Sequence, residues 1–323
     1  MAGSNLFLAS EPLHLGDLVQ RAEDFVRAAK APATLRAYRS DWRDFEAWCV
    51  GHRLDALPAQ PETVALYIAD LATSCAAGTI TRRLTSISKA HQAAGYSNSP
   101  ASTRQAIVGE TLKGIRRTIG TAQKGKDPLL TAQIRKVVAC CPGGLLGMRD
   151  RALLLDGFAG AFRRSELAAL LVSDLKFTED GVIADLRRSK TDQEGAGQEV
   201  GLPWGSHSDT CPVRALRHWL DAAVITEGPV FRAVDRHGNV SKKGLNKDSV
   251  GSIVKRALLR AGISAEAFAG HSLRSGHATQ ASMNGVNEFV IMKQTGHKSE
   301  ATLRKYIRIG EIFRENAAAG LGL

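Results

Sequence analysis

Four separated stretches of the chain hold side chains suited to chemistry on an anion. The first is Arg163-Arg164-Ser165-Glu166-Leu167, directly behind Gly160-Ala161-Phe162. The second is Ser189-Lys190-Thr191. The third is His271-Ser272-Leu273-Arg274. The fourth is Gly296-His297-Lys298-Ser299, with Tyr306 nine residues after His297. Singly, each has a bland explanation. An Arg-Arg pair is usually surface, a loop lysine is usually solvated, and a histidine or tyrosine is often only packed. Together they supply the parts of a nucleophilic displacement at phosphorus. A guanidinium keeps its charge and forks onto two oxygens, so two arginines suit the non-bridging oxygens of a phosphate. They would place charge where negative charge grows in the transition state. A tyrosine hydroxyl can attack phosphorus, although with a reference pKa near 10 it needs help in losing its proton. Histidine can donate to an oxygen or accept that proton. A lysine can protonate the leaving oxygen.

These residues need elements to carry them. Arg149 to Leu171 reads as mostly helical. Thr178 to Gly181 reads as a turn, Val182 to Arg188 as a strand, and Gln198 to Leu202 as its partner. Lys190 then lies in the polar, Gly-containing loop between the two strands. Leu130 followed by Thr131 restarts helical patterning, with Thr131 placed as an N-cap. From Thr210 the pattern is helical again, apart from a strand-like Val230-Phe231.

Residues 15 to about 112 read as helical throughout. Leu35, Tyr38, Trp42, Phe45 and Trp48 form one apolar stripe, with Arg36, Arg39 and Arg43 on another face. A second helix covers Pro61 to Ala72, with Pro61 at a position tolerated in a first turn. A third covers Thr79 to Ala94, with Ile80, Leu84 and Ile87 inward and Arg82 or Arg83, Ser86 and Lys89 outward. Gly95 would end it. Thr103 to Ile119 reads as a fourth. The polar, basic stretch from Gly120 to Pro128, with Lys124 and Lys126, reads as a linker.

Composition bounds the function. The chain has 323 residues, 44% hydrophobic and 23% charged, which allows two domains with real cores and excludes a disordered or disulfide-stapled class. The formal charge is +11, which makes a polyanion, nucleic acid first, the expected partner. Aromatics are only 6%, so binding mainly by base stacking is not suggested. The five cysteines form no C-x-x-C, which argues for reduced thiols. No basic, apolar leader opens the chain and no apolar run approaches a membrane span, so a cytoplasmic, nucleoid-associated protein without membrane contact is expected. There is no G-x-x-x-x-G-K-[ST] loop and no H-E-x-x-H pair. His271, His277 and His297 lack usual zinc-ligand spacing.

In this order (Arg-x-Ser-Glu-Leu, Lys, His-x-Leu-Arg, Gly-His, Tyr) the segments resemble the tyrosine recombinases, or phage integrase family, of the Cre and Xer kind. The resemblance is strongest over Leu130 to Ile309 and looser in the N-terminal region. It implies that Arg163, Lys190, His271, Arg274 and His297 are catalytic and that Tyr306 is the nucleophile. Glu166 would be the acidic residue that orients Arg163 or His271. Arg164 occupies a variable position. One departure is Gly160-Ala161-Phe162, where many members have Thr-Gly-Leu. The resemblance implies no cofactor, no metal and no ATP, because a covalent 3'-phosphotyrosine keeps the bond energy.

The expected architecture is mainly α. It is a two-domain DNA clamp with a helical core-binding domain (15–119) and an α-rich catalytic domain (129–323) holding a small antiparallel β-sheet. A tail (1–14) precedes it and the linker (120–128) joins the two. Arg36, Arg39, Arg43, Arg82, Arg83, Lys89, Lys124 and Lys126 are the expected DNA contacts. The expected partner is double-stranded DNA with inverted-repeat half-sites, bound by a homotetramer that is monomeric or weakly associated when free. The tail after Tyr306 is expected to dock on a neighbouring protomer. Two alternatives stand beside this reading: a type IB topoisomerase-like relaxing enzyme, and a sequence-specific DNA-binding protein that does not cleave.

Overall fold

The computed structural model describes residues 20–21, 24–25, 29–96, 98–122, 125–187, 197–297, 299–300, 303–304 and 321. Lys124, Lys190 and Tyr306 lie outside the described residues. The chain divides into two compact units, residues 1–124 and 125–323. Among the described residues, no helix is long and apolar enough to cross a membrane.

Among the described residues of the first unit, residues 20–21 and 24–25 are helical, and its core is built on α1 (Pro32–His52), α2 (Pro61–Leu71), α3 (Ala77–Ala93) and α4 (Ala106–Ile119). Pro32 and Pro61 start their helices, where the missing N–H costs nothing. The stripe of α1 turns inward and Phe45 is fully buried, with Val64, Tyr67, Ile68, Ile80, Ile87, Val108 and Leu112 completing the core. Ser86 departs from expectation. It is buried, because its hydroxyl donates to the Tyr38 carbonyl at 2.7 Å and so joins α3 to α1. Buried His91 is a structural histidine. Its Nδ1 sits 2.9 Å from the Ile87 carbonyl and its Nε2 accepts from the Ala59 amide at 3.0 Å.

The second unit alternates helices with two small sheets. Its elements are α5 (Thr131–Ala139), α6 (Gly144–Ala159), α7 (Arg164–Ala169), β1 (Leu175–Phe177), β2 (Gly181–Leu186), β3 (Gln198–Pro203), α8 (Pro212–Ala222), β4 (Arg232–Val234), β5 (Val240–Gly244), α9 (Lys247–Arg260), α10 (Ser272–Met283) and α11 (Glu288–Thr295). Strand β2 is central in an antiparallel β1-β2-β3 sheet, with Ala184 opposite Val200. The expected pairing of 182–188 with 198–202 is thus present, while β1 and the β4-β5 hairpin are additions to it. The helix expected across 149–171 is broken at Gly160 to Arg163, where Ala161 adopts φ +50°.

The N-cap of α5 is Leu130, not Thr131. The Gln133 side chain accepts from the Leu130 amide at 2.9 Å, and Thr131's own amide is taken by Gln280 Oε1 at 3.1 Å. Helix α6 runs through the core beside Leu167, Leu202, Trp219 and Phe231. Gly157 lets α6 meet α10 closely: a Cβ there would stand 2.8 Å from Leu273 and 3.0 Å from Leu167. The stretch before α5 is stitched to this unit, with the Asp127 amide on Ala267 O at 2.7 Å and the Leu129 amide on Ser272 O at 2.9 Å. Lys126 Nζ donates to Glu266 O at 2.6 Å. The unattached part of the expected linker is therefore shorter than 120–128.

Candidate active site

The site is assembled from three helix starts or ends and the non-helical turn between α6 and α7. Arg163 is the N-cap of α7. Three residues on, Glu166 is nearly buried and turns back, accepting from the Arg163 amide at 2.8 Å and from its Nη1 at 2.5 Å. This carboxylate holds both the backbone and the guanidinium of Arg163. His271 is the N-cap of α10 and is exposed. The first turn behind it, Ser272 to Ser275, is buried, so His271 is the exposed residue at this helix start.

Arg274 lies in the first turn of α10 with only 3% of its surface exposed. Its Nη1 donates to Ala161 O at 2.7 Å, and its Nη2 donates to Thr295 O. Two carbonyls from two other elements thus hold a buried guanidinium without adding a formal counter-charge. The left-handed turn at Ala161 aims the first carbonyl. Only glycine takes that conformation without cost. This is the position where the family pattern has glycine, so the departure noted in the sequence now has a physical meaning.

His297 follows α11 immediately. Gly296 makes the reversal, with φ +63°, and a Cβ there would stand 2.4 Å from Gln198 Oε1. His297 Nδ1 lies 2.8 Å from the hydroxyl of Thr295. Burial comes first, then Arg274, Arg163 and His271, in pulling the imidazole pKa down to about 4. Arg274 reaches Ala161, two residues before Arg163, and Thr295, two residues before His297, and His271 opens the same helix, so four of the expected residues are gathered at one place. His277, by contrast, is engaged elsewhere: its Nδ1 lies 3.0 Å from Phe158 O, and burial lowers its pKa. Among the described residues no cluster suits a metal ion.

Helix α11 is also tied to the sheet. Gln198 Nε2 donates to Lys293 O at 2.9 Å, and Gln294 Nε2 donates to Gly201 O at 3.0 Å and Ala159 O at 3.2 Å. In the sequence Ala161 stands out only as a departure from the family pattern, and these amides and Thr295 do not stand out. The only signal for Thr295 is its place directly before Gly296-His297.

In the first unit, Arg36, Arg39 and Arg43 are exposed along α1, and Lys89 is exposed on α3 with Nζ 2.8 Å from Gln92 Oε1. Arg82 is about half exposed and pairs with buried Asp41 at 3.1 Å. Arg83 differs from the expected outward cation. It is drawn inward onto Asp44 and onto the Tyr67 hydroxyl at 2.5 Å, while that hydroxyl donates to Asp44 at 2.6 Å.

The profile of the phage integrase family matches residues 128–311. An integrase/recombinase xerD homolog of Selenomonas ruminantium is 43% identical over 92% of this chain and 87% of its own length. The Recombinase cre of Escherichia phage P1 is 22% identical over 87% of this chain and 85% of its own. Among solved structures, a XerH site-specific recombinase bound to a palindromic difH substrate shares the fold with a TM-score of 0.60. It is 17% identical and aligns over 80% of this chain and 72% of that one. A lambda integrase dimer bound to a COC' core site aligns with a TM-score of 0.58, at 16% identity over 90% of this chain and 76% of that one. With these matches and the gathered Arg163, His271, Arg274 and His297, the chain belongs to the phage integrase family of tyrosine recombinases.

Proposed function

We propose that this protein is a site-specific DNA recombinase that cuts and rejoins strands through a covalent 3'-phosphotyrosine. The observation that carries the reading is the convergence of Arg163, Arg274, His271 and His297, two of them at helix N-termini. Such a site binds a phosphodiester and neutralises the charge that grows on it. Arg163 and Arg274 hold the non-bridging oxygens. Tyr306 attacks phosphorus and the 5' oxygen departs, protonated by Lys190 as general acid. His271 takes the tyrosine proton or bonds an oxygen. Religation reverses the exchange and needs no metal or ATP. These roles for Lys190 and Tyr306 rest on the family resemblance.

The first unit grips duplex DNA through the exposed Arg36, Arg39 and Arg43 of α1 and the exposed Lys89 of α3. Arg82 joins them on its paired side. The stretch with Lys124 and Lys126 passes along the backbone. One protomer binds each half-site, and four protomers pair two inverted-repeat sites. The tail 307–323 docks on a neighbour, so that deleting residues 315–323 reduces synapsis more than half-site binding.

The test uses DNA enriched from a random pool by the purified protein and rebuilt as nicked suicide substrates. In EDTA, the wild type should form a protein–DNA adduct that survives SDS, and Tyr306→Phe should form none. Tight binding with no adduct would leave a non-cleaving DNA-binding protein. Adducts followed by relaxation, without exchange between paired sites, would leave a topoisomerase-like enzyme.

A further inference from the structure

Thr295 makes contact with two of the site residues at once, and its chemistry constrains one of them. Its side chain is buried, at the last turn of α11. Its hydroxyl lies 2.7 Å from Ile291 O, the preferred length of an O–H···O bond, and 3.4 Å from Met292 O. A carbonyl oxygen can only accept, so the single hydroxyl proton is committed to Ile291. The same oxygen lies 2.8 Å from His297 Nδ1. With its proton spent, it can only accept from the imidazole. The reverse assignment would set the hydroxyl lone pairs against the Ile291 carbonyl at 2.7 Å. The carbonyl of Thr295 meanwhile accepts from Arg274 Nη2.

We infer that Thr295 is a positioning residue that fixes His297 as the Nδ1–H tautomer and locks its ring, while holding Arg274 through the main chain. In a neutral ring with its proton on Nδ1, Nε2 carries the lone pair and is an acceptor. The neighbouring cations Arg274 and Arg163 favour that neutral form. Two consequences follow for the reaction proposed above, on which only this part of the inference rests. His297 is set to receive a proton or a hydrogen bond at Nε2. It can donate to a phosphate oxygen only after gaining a second proton, which the arriving anion would favour.

The experiment reads the tautomer directly. The full chain, labelled with ¹⁵N-histidine, is studied without DNA at neutral pH by long-range ¹H–¹⁵N correlation, with His297 assigned by the loss of its signals in His297→Gln. The expected wild-type pattern is a protonated Nδ1 and an unprotonated Nε2. Thr295→Ser should keep it. Thr295→Val, which removes the acceptor, should move the proton to Nε2 or mix the two forms. A wild-type His297 with its proton on Nε2 would overturn the inference by itself, whatever the variants do. An unchanged Nδ1–H in a folded Thr295→Val would overturn it as well.

In the adduct assay, Thr295→Val should lose about ten- to a hundredfold, the usual scale for a misaligned catalytic group, with Thr295→Ser close to wild type. An equal loss in both variants would mark Thr295 as structural only and would overturn its role in positioning. Absence of an adduct from the wild type would count against the recombinase reading, and the spectra would still decide the tautomer.

Discussion

In the first unit, Arg82 and Arg83 leave α3 towards carboxylates of α1. In the second, Arg274 is clasped by the carbonyls of Ala161 and Thr295. Both arrangements fix a guanidinium, with opposite electrostatic results. A carboxylate partner cancels the charge it positions, so Arg83 works as a strut between helices. A carbonyl partner fixes geometry through a dipole and itself adds no opposing formal charge. Arg163 lies between these cases, since one carboxylate, Glu166, holds it on one side. The lesson is that what an arginine offers to a ligand depends on whether a carboxylate or a carbonyl positions it.

The largest expected effect breaks the carbonyl clasp. Arg274→Lys keeps the charge and loses the fork that spans two carbonyls. Adduct formation on suicide substrates should fall about 10²- to 10³-fold, the scale of one lost transition-state donor. Retention of most activity would mean that charge alone is enough and that the clasp does not matter.

A second contrast concerns Asp156, fully buried in α6, whose two carboxylate oxygens have no hydrogen-bond partner among the described residues. Burial, with a smaller contribution from Cys211, raises its pKa well above the ordinary 3.8. A carboxyl with a raised folded pKa supports folding below about pH 3.8, and that support is lost as pH climbs through the folded value. Asp156→Leu should therefore stabilise the second unit by about 2 kcal/mol near neutral pH, and by less in acid. Thermal melts at pH 7 and pH 4 measure both. A larger gain at pH 4 would contradict the assignment.

The strut reading of Arg83 is tested by salt. Arg36→Gln, Arg39→Gln or Arg43→Gln should each flatten the slope of log affinity against log salt by about 0.9. Arg83→Gln should leave the slope unchanged while lowering the melting temperature of the first unit. An equal slope change for Arg83 would place it on the phosphates after all.

The smallest effect is at Ala161. Its left-handed backbone makes Ala161→Gly a stabilising change of about 1 kcal/mol, read as a rise in melting temperature with adduct formation intact. Destabilisation instead would argue against the left-handed turn that aims the Ala161 carbonyl at Arg274.

Much of the site could be read in the sequence because its reacting groups are side chains, and their types and order survive in one dimension. Arg163, Glu166, His271, Arg274 and His297 needed no fold to be picked out. Ala161 and Thr295 did, because they act through main-chain carbonyls that any residue supplies. Periodicity made the stripe of α1 and the β2-β3 pair visible.

It could not reveal the β4-β5 hairpin, where Val240 to Gly244 is mostly exposed and polar. It missed the break at 160–163, because apolar residues run straight through it. The choice between Arg82 and Arg83 as the outward cation, and the burial of Ser86, could not be read because the partners that decide them, Asp44 and the Tyr38 carbonyl, sit on another helix.

The Gln198 and Gln294 amides carry a last consequence. Gln198 closes the segment that bears Lys190, and α11 with His297 opens the segment that bears Tyr306. The 2.9 Å bond from Gln198 to Lys293 joins the roots of the two. In effective-concentration terms, the segments that lead to Lys190 and to Tyr306 start from neighbouring anchor points. For the roles proposed above, the lengths that matter are the eight residues from Lys190 to Gln198 and the nine from His297 to Tyr306, not the long stretch of chain that separates the pair in sequence.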